Sequence, residues 1–160
     1  MKKILIIVVI AAFVVGGVVL FTAYKSINKE KTSITADDFN TIMESNGYTM
    51  AETTNLFAEY GNFMTKSYAA QKNGYQIEFY QLSSEEDAIS MYNTNKEKFE
   101  LQKADASATT SVSINNYARF SLTANGKYKY VSRIDNTLIY VDVAATYKKE
   151  IKDIMDKIGY

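Results

Sequence analysis

Two dense acidic runs, Asp37-Asp38 and Glu85-Glu86-Asp87, come closest in this chain to the spacing that general acid–base chemistry needs. Paired carboxylates serve that chemistry when burial or a neighbouring like charge drives their proton affinities apart. Both runs, however, sit at predicted helix starts, behind Thr35 and behind Ser83-Ser84. There an acidic group accepts capping hydrogen bonds and complements the helix dipole, so capping is the expected role of both. Ser26-Ile27-Asn28-Lys29 has the SxxK spacing of serine acyl-enzymes but lacks their partner motifs, and is read as coincidence. The chain has no histidine and no cysteine. That removes the commonest general base near neutral pH, the thiol nucleophile, the thiolate metal site and the commonest transition-metal ligand. No EF-hand spacing, glycine-rich phosphate loop or GxSxG occurs. The expectation is a non-enzyme with no catalytic residues, no metal site and no cofactor.

The remaining chemistry is contact chemistry. A cross-strand row of Phe120, Val131 and Tyr140, flanked by Leu122, Lys129, Arg133 and Leu138, is the candidate partner surface. An exposed apolar and aromatic patch rimmed by cations has the make-up of a protein interface. The competing expectation is that the linker, the first helix or residues 53–63 cover this row as core. The thirteen tyrosines are spread over nearly every element, which favours ordinary strand packing over a dedicated contact surface.

That row exists only if the strands bearing it have the right register. Asn115-Asn116, Asn125-Gly126 and Asp135-Asn136 are turn dipeptides ten residues apart, and they divide strands near 107–114, 117–124, 127–134 and 137–144. Two-residue turns put Val112, Ile114, Tyr117, Tyr128, Tyr130, Ile134, Ile139, Val141 and Val143 on one face, expected to pack on helices, and the Phe120 row on the other. Lys129 then stands opposite Asp142. A one-residue bulge would exchange the faces.

Asn73-Gly74 predicts a further hairpin of strands 64–72 and 75–82, pairing Tyr68 with Phe79 and Ala70 with Ile77. Tyr48–Thr53 reads as a strand and 55–61 as one helical turn. Apolar residues at helical spacing predict helices near 36–46, 84–102 and 147–158. The similar segments TIMESNGY at 41–48 and DIMDKIGY at 153–160 read as two amphipathic helices with glycine stops, more than as an internal repeat. The expected fold is α+β: an antiparallel sheet, hairpin plus four-stranded meander, with about three helices packed on one face.

Ile4–Tyr24 runs 21 residues without a charged side chain, enough to match a hydrocarbon core of about 30 Å. The expectation is an N-terminal transmembrane signal-anchor over 1–24, a linker over 25–34 and an extracytoplasmic domain over 35–160. Lys2 and Lys3 favour a cytoplasmic N-terminus; the inverse orientation and a cleaved leader are the alternatives. Residues 1–31 hold five lysines and one glutamate, whereas residues 32–160 hold 13 basic and 17 acidic groups. A mildly acidic domain without a basic run gives no electrostatic reason to bind nucleic acid.

MKKILIIVVI, ITADDF leading to a Gly-Tyr stop, YQIEFYQLSSEEDA, RIDNTLIYVDV and IKDIMDKIGY together give a chain that resembles small single-pass membrane-anchored proteins of unknown function from low-GC Gram-positive bacteria. The resemblance lies in layout, implies an extracytoplasmic domain, and carries no site residues. The expected function is a non-catalytic binding or accessory module for a protein or cell-envelope partner. A structural membrane protein oligomerising through Ala12 and Gly16 of the span, and a carboxylate-based hydrolase, are the alternatives.

Overall fold

A computed structural model describes residues 30–160. Its strands are β1 Thr49–Glu52, β2 Met64–Lys72, β3 Tyr75–Leu82, β4 Ala106–Ile114, β5 Tyr117–Ala124, β6 Lys127–Ile134 and β7 Thr137–Ala144. Its helices are α1 Ala36–Ser45, α2 Glu85–Glu100 and α3 Lys148–Ile158, with a 3-10 segment at Thr54–Tyr60. All seven strands join one sheet in the order β1-β2-β3-β7-β6-β5-β4, and every neighbouring pair is antiparallel.

Turn chemistry sets this register. Asn73, Asn115, Asn125 and Asp135 each open a two-residue turn with φ between 47° and 51°, a conformation that asparagine and aspartate tolerate better than branched residues. Tyr68 therefore pairs with Phe79, Ala70 with Ile77, and Lys129 with Asp142. The β2 and β4 irregularities, at Met64/Lys66 and Ala106/Ala108, lie at strand ends and leave the meander's faces as the turns dictate.

The connection from β3 to β4 is the longest in the domain. β3 and β4 are four strand positions apart, roughly 19 Å at the usual interstrand spacing. The 16 residues of α2 span about 24 Å and so carry the chain from mid-sheet to the far edge. To do so α2 lies across one face, where Ala88, Tyr92 and Phe99 pack on Leu82, Phe120, Leu122, Val131 and Leu138. α1 and α3 cover the opposite face, where Phe39, Met43, Ile151, Ile154, Met155 and Ile158 pack on Ile77, Phe79, Tyr130, Ile139 and Val141. Helices thus flank the sheet on both sides, which corrects the expectation of helices on one face. The central strands β3, β6 and β7 are apolar on both faces, and each face needs its own cover.

The expected transmembrane helix over 4–24 lies outside the described residues. Among the described residues no helix is long and apolar enough to cross a membrane. The single-pass, membrane-spanning architecture is corrected accordingly: the described fold is a seven-stranded sheet domain, and the span has no part in the functional argument below.

Caps fix where α1 and α2 begin. Thr35 accepts a hydrogen bond from the Asp38 backbone N–H at 3.1 Å, and Asp38 accepts one from the Thr35 N–H at 3.2 Å, a reciprocal capping box. Ser84 accepts from the Asp87 N–H at 3.1 Å, while the Asp87 carboxylate accepts from the Ser83 and Ser84 hydroxyls. The Thr35 hydroxyl, which donates to Asp38 at 2.7 Å, and the Ser84 and Ser83 hydroxyls, which donate to Asp87, hold the two carboxyls below their ordinary value of 3.8. The depressed folded-state value sets the sign: the capping contribution is complete above the ordinary aspartate range and is lost as pH falls through the lower folded value. Urea midpoints measured between pH 5 and 2 should therefore fall less steeply in an Asp38→Asn/Asp87→Asn variant than in the parent; an unchanged slope would refute the assignment.

Candidate functional site

The seven residues of the expected partner surface are brought together, but under α2. Phe120, Leu122, Val131 and Leu138 are each at most 1% exposed, and Tyr140 is half-buried with its ring 5.5 Å from that of Phe99. The two rim cations serve the same cover. Arg133 donates to Glu85 at 2.8 Å and to the Asp135 carbonyl at 3.1 Å, tying the start of α2 to the sheet. Lys129 pairs with Asp142 and lies 5.2 Å from the centre of the Phe99 ring near the other end. The face expected to meet a partner is met by the chain's own helix, so the seven residues are core.

The acidic runs are similarly occupied. Asp37 accepts an ion pair from Lys66 at 2.6 Å, Asp38 and Asp87 cap helices, and Glu85 holds Arg133. Among the described residues no group of three or more acidic side chains is placed to hold a metal ion.

A different site lies on the opposite face, where α3 meets the outer strands. With eleven residues α3 reaches about 17 Å, and on the edge strand β4 the residues Ala108 and Thr110 stay exposed. The side chains facing it there are short: Ala108 and Thr110 on β4, Ser121 and Thr123 on β5. Above them α3 presents Lys148, Lys152, Met155 and Asp156, at positions i, i+4, i+7 and i+8 of one helical stripe. Short residues below and long ones above enclose a cavity of about 140 Å³, completed by Arg119, Tyr128 and Tyr130. Register places these groups side by side, since Arg119 pairs with Ser132, Ser121 with Tyr130, and Thr123 with Tyr128.

The cavity's polar groups are short of partners. Lys148 donates to the Thr123 hydroxyl at 3.0 Å and lies over the Tyr128 ring. No carboxylate of the described residues approaches Arg119, Lys148 or Lys152 within ion-pair distance. In the wider groove beside the β2–β3 turn, by contrast, Lys72 pairs with Glu150 at 3.2 Å and Lys127 with Asp142 at 3.9 Å. Tyr130 is 3% exposed, and no hydrogen bond reaches its hydroxyl. Ser132 stands close enough to favour the phenolate slightly, but its own proton goes to the Ala118 carbonyl at 3.3 Å. Burial outweighs that effect and pushes the Tyr130 hydroxyl well above its ordinary value of 10.0, so it stays protonated and is a donor. Nearby, burial and then the Arg119 charge hold Lys31 below its ordinary value of 10.5. The cavity lining itself holds three cations against one carboxylate, in a domain that is acidic in sum.

No protein-family model and no curated protein sequence matches the chain. Two solved structures are similar in outline. A GTP-binding regulator of Thermotoga maritima is 18% identical with a TM-score of 0.47, over 76% of this chain and 84% of that one. The candidate lipoprotein LppA of Mycobacterium tuberculosis is 16% identical with a TM-score of 0.29, over 68% and 69%. Likeness at these levels carries no functional argument, and the site stands on its own geometry.

Part of this site could have been found from the strand pattern. Alternation puts Arg119 on the same face as Tyr117, Tyr128 and Tyr130, and a charge on a core-facing position is a signal. Lys148 and Lys152 carried no comparable signal, because lysines beside a helix's apolar stripe are ordinary. A direct check of the unpartnered hydroxyl is Tyr130→Phe. Removing a buried donor that has no acceptor should raise the unfolding free energy by about 1–3 kcal/mol in urea denaturation. A loss of that size would mean the hydroxyl is already satisfied.

Proposed function

We propose that residues 30–160 form a non-catalytic binding module whose ligand seats in the cavity between α3 and strands β4–β6. The observation that carries the reading is a cavity lined by three cations, Arg119, Lys148 and Lys152, none within ion-pair distance of a carboxylate of the described residues, with Tyr130, whose buried hydroxyl has no hydrogen-bond partner, also in its lining. An unsatisfied buried hydroxyl costs folding free energy of about 1–3 kcal/mol, and an incoming acceptor removes that cost. Binding rather than turnover is favoured because the lining holds a single carboxylate, Asp156, and neither a histidine nor a cysteine. The partner belongs to the protein or cell-envelope class expected from the sequence.

Thr110 gives access for a test, since it lines the cavity on the exposed edge strand β4. A photo-crosslinking residue at position 110, in the full-length protein in its own cells, should yield one discrete adduct that mass spectrometry can identify. That adduct should disappear in Arg119→Gln. Crosslinks confined to the chain itself, or an adduct indifferent to Arg119, would overturn the reading.

A further inference from the structure

We propose that the group this cavity recognises is a phosphate-type dianion, hydrogenphosphate in particular. The inference deepens the binding reading above and rests on it. Three features lead from the cavity to that ligand class. The first is charge: Arg119, Lys148 and Lys152 against Asp156 leave two uncompensated positive charges at one small site, which matches a dianion better than a single carboxylate. The second is donor character. Arg119 offers a planar fork and the lysines offer ammonium protons; the Tyr130 hydroxyl is a neutral donor without an acceptor, and Ser121 and Thr110 add hydroxyls nearby. A tetrahedral oxyanion supplies many acceptors in a small volume, and about 140 Å³ holds one such group. The third is Asp156. It is the one carboxylate at the cavity, and hydrogenphosphate brings the one proton a carboxylate can accept; sulfate brings none.

The surroundings agree with this choice. The domain's acidic excess would repel a dianion elsewhere, so the local cluster supplies specificity as well as attraction. The donors are also graded by burial. Among the lining residues Tyr130 is almost fully buried, Arg119 and Lys148 are partly buried, and Lys152 and Asp156 are exposed. An anion that enters therefore exchanges water for fixed donors, and charge-assisted hydrogen bonds strengthen as water is excluded.

Calorimetric titration of the full chain at about pH 8, where inorganic phosphate is mainly the dianion, tests this with inorganic phosphate, sulfate, methyl phosphate and acetate as probes. One-to-one binding is expected in the order phosphate, sulfate, acetate. Arg119→Gln should weaken phosphate binding by about tenfold or more, and Tyr130→Phe by about three- to tenfold, because each removes a donor to an ionised acceptor. Asp156→Asn should bring phosphate and sulfate to similar affinity. Methyl phosphate tests the Asp156 argument as sulfate does, because its dianion brings no proton either: weaker binding than phosphate is expected, and equal or tighter binding would overturn hydrogenphosphate as the recognised group. Acetate binding as well as phosphate, or phosphate binding that ignores Arg119 and Tyr130, overturns the proposal. If no anion binds while the adduct at position 110 still depends on Arg119, the phosphate assignment fails and the binding reading stands.

Discussion

Replacing Phe120 by alanine should lower the free energy of unfolding by about 3–5 kcal/mol, the range for large aromatic truncations in a closed core. Phe120 is 1% exposed, sits opposite Val131 on β6, and is roofed by Ala88, Tyr92 and Phe99 of α2. The alanine would leave a void between sheet and helix that neither can fill. The two ends of α2 are held in place by the Arg133–Glu85 pair and by Phe99 over Lys129, so the helix cannot settle into the gap. An aromatic residue on an open contact surface would behave otherwise, since truncations there usually change stability by less than about 0.5 kcal/mol. Urea denaturation of Phe120→Ala therefore separates the two readings of this row by several kcal/mol. Tyr140→Ala is the internal comparison: half-buried at the edge of the same cluster, it should cost clearly less.

That row shows where sequence patterning stops being informative. The strands and their pairing were readable because each turn dipeptide has a steric reason to be a turn, and four two-residue loops leave no freedom in register. Which face would be wet was not readable in the same way. Lys129 and Arg133 alternate with Tyr128, Tyr130 and Ile134 along β6 and look like solvent-facing positions. Both are in fact buried, at 7% and 5% exposure, with long apolar stems lying in the core and charged ends reaching Asp142 and Glu85. Their partners lie on β7 and α2, and only the crossing of α2 brings Glu85 within reach. The phosphate-type cavity was hidden for a related reason. It lies along the flank of α3, between one stripe of that helix and the short side chains of β4 and β5, a tertiary juxtaposition that no local pattern encodes.

The two Gly-Tyr helix stops were legible, and the structure gives them a shared mechanism. Gly47 and Gly159 take φ of 80° and 87°, which glycine adopts without a Cβ penalty. The following tyrosine then turns its N–H back onto the last turn, Tyr48 to the Met43 carbonyl at 3.1 Å and Tyr160 to the Met155 carbonyl at 2.9 Å. The same cap thus ends both helices on the α1/α3 face of the sheet and delivers a tyrosine into the core beside each. Tyr48 meets the Tyr75 hydroxyl at 2.7 Å, while Tyr160 meets Thr137 and lies edge-on to Phe79, ring centres 6.3 Å apart.

Tyr160→Ala should accordingly be the second severe core lesion, costing about 3–5 kcal/mol. At 1% exposure Tyr160 is among the largest fully buried side chains, and it joins the helices to the sheet through Phe79, which itself stacks on Phe39 of α1 at 4.7 Å. The backbone cap survives the substitution, because alanine keeps the N–H that bonds to Met155, so the loss measured is that of the side chain. Tyr160→Phe divides that loss. The ring and its packing remain, and Thr137 keeps its hydrogen bond to the Ile134 carbonyl at 2.6 Å. Only the hydroxyl's own bonds go, at about 1–2 kcal/mol. Chemical denaturation of the two variants should therefore rank alanine well below phenylalanine and phenylalanine modestly below the parent. If both variants lost the same amount, the hydroxyl rather than the ring would be what secures α3, and the packing account of this cap would be wrong.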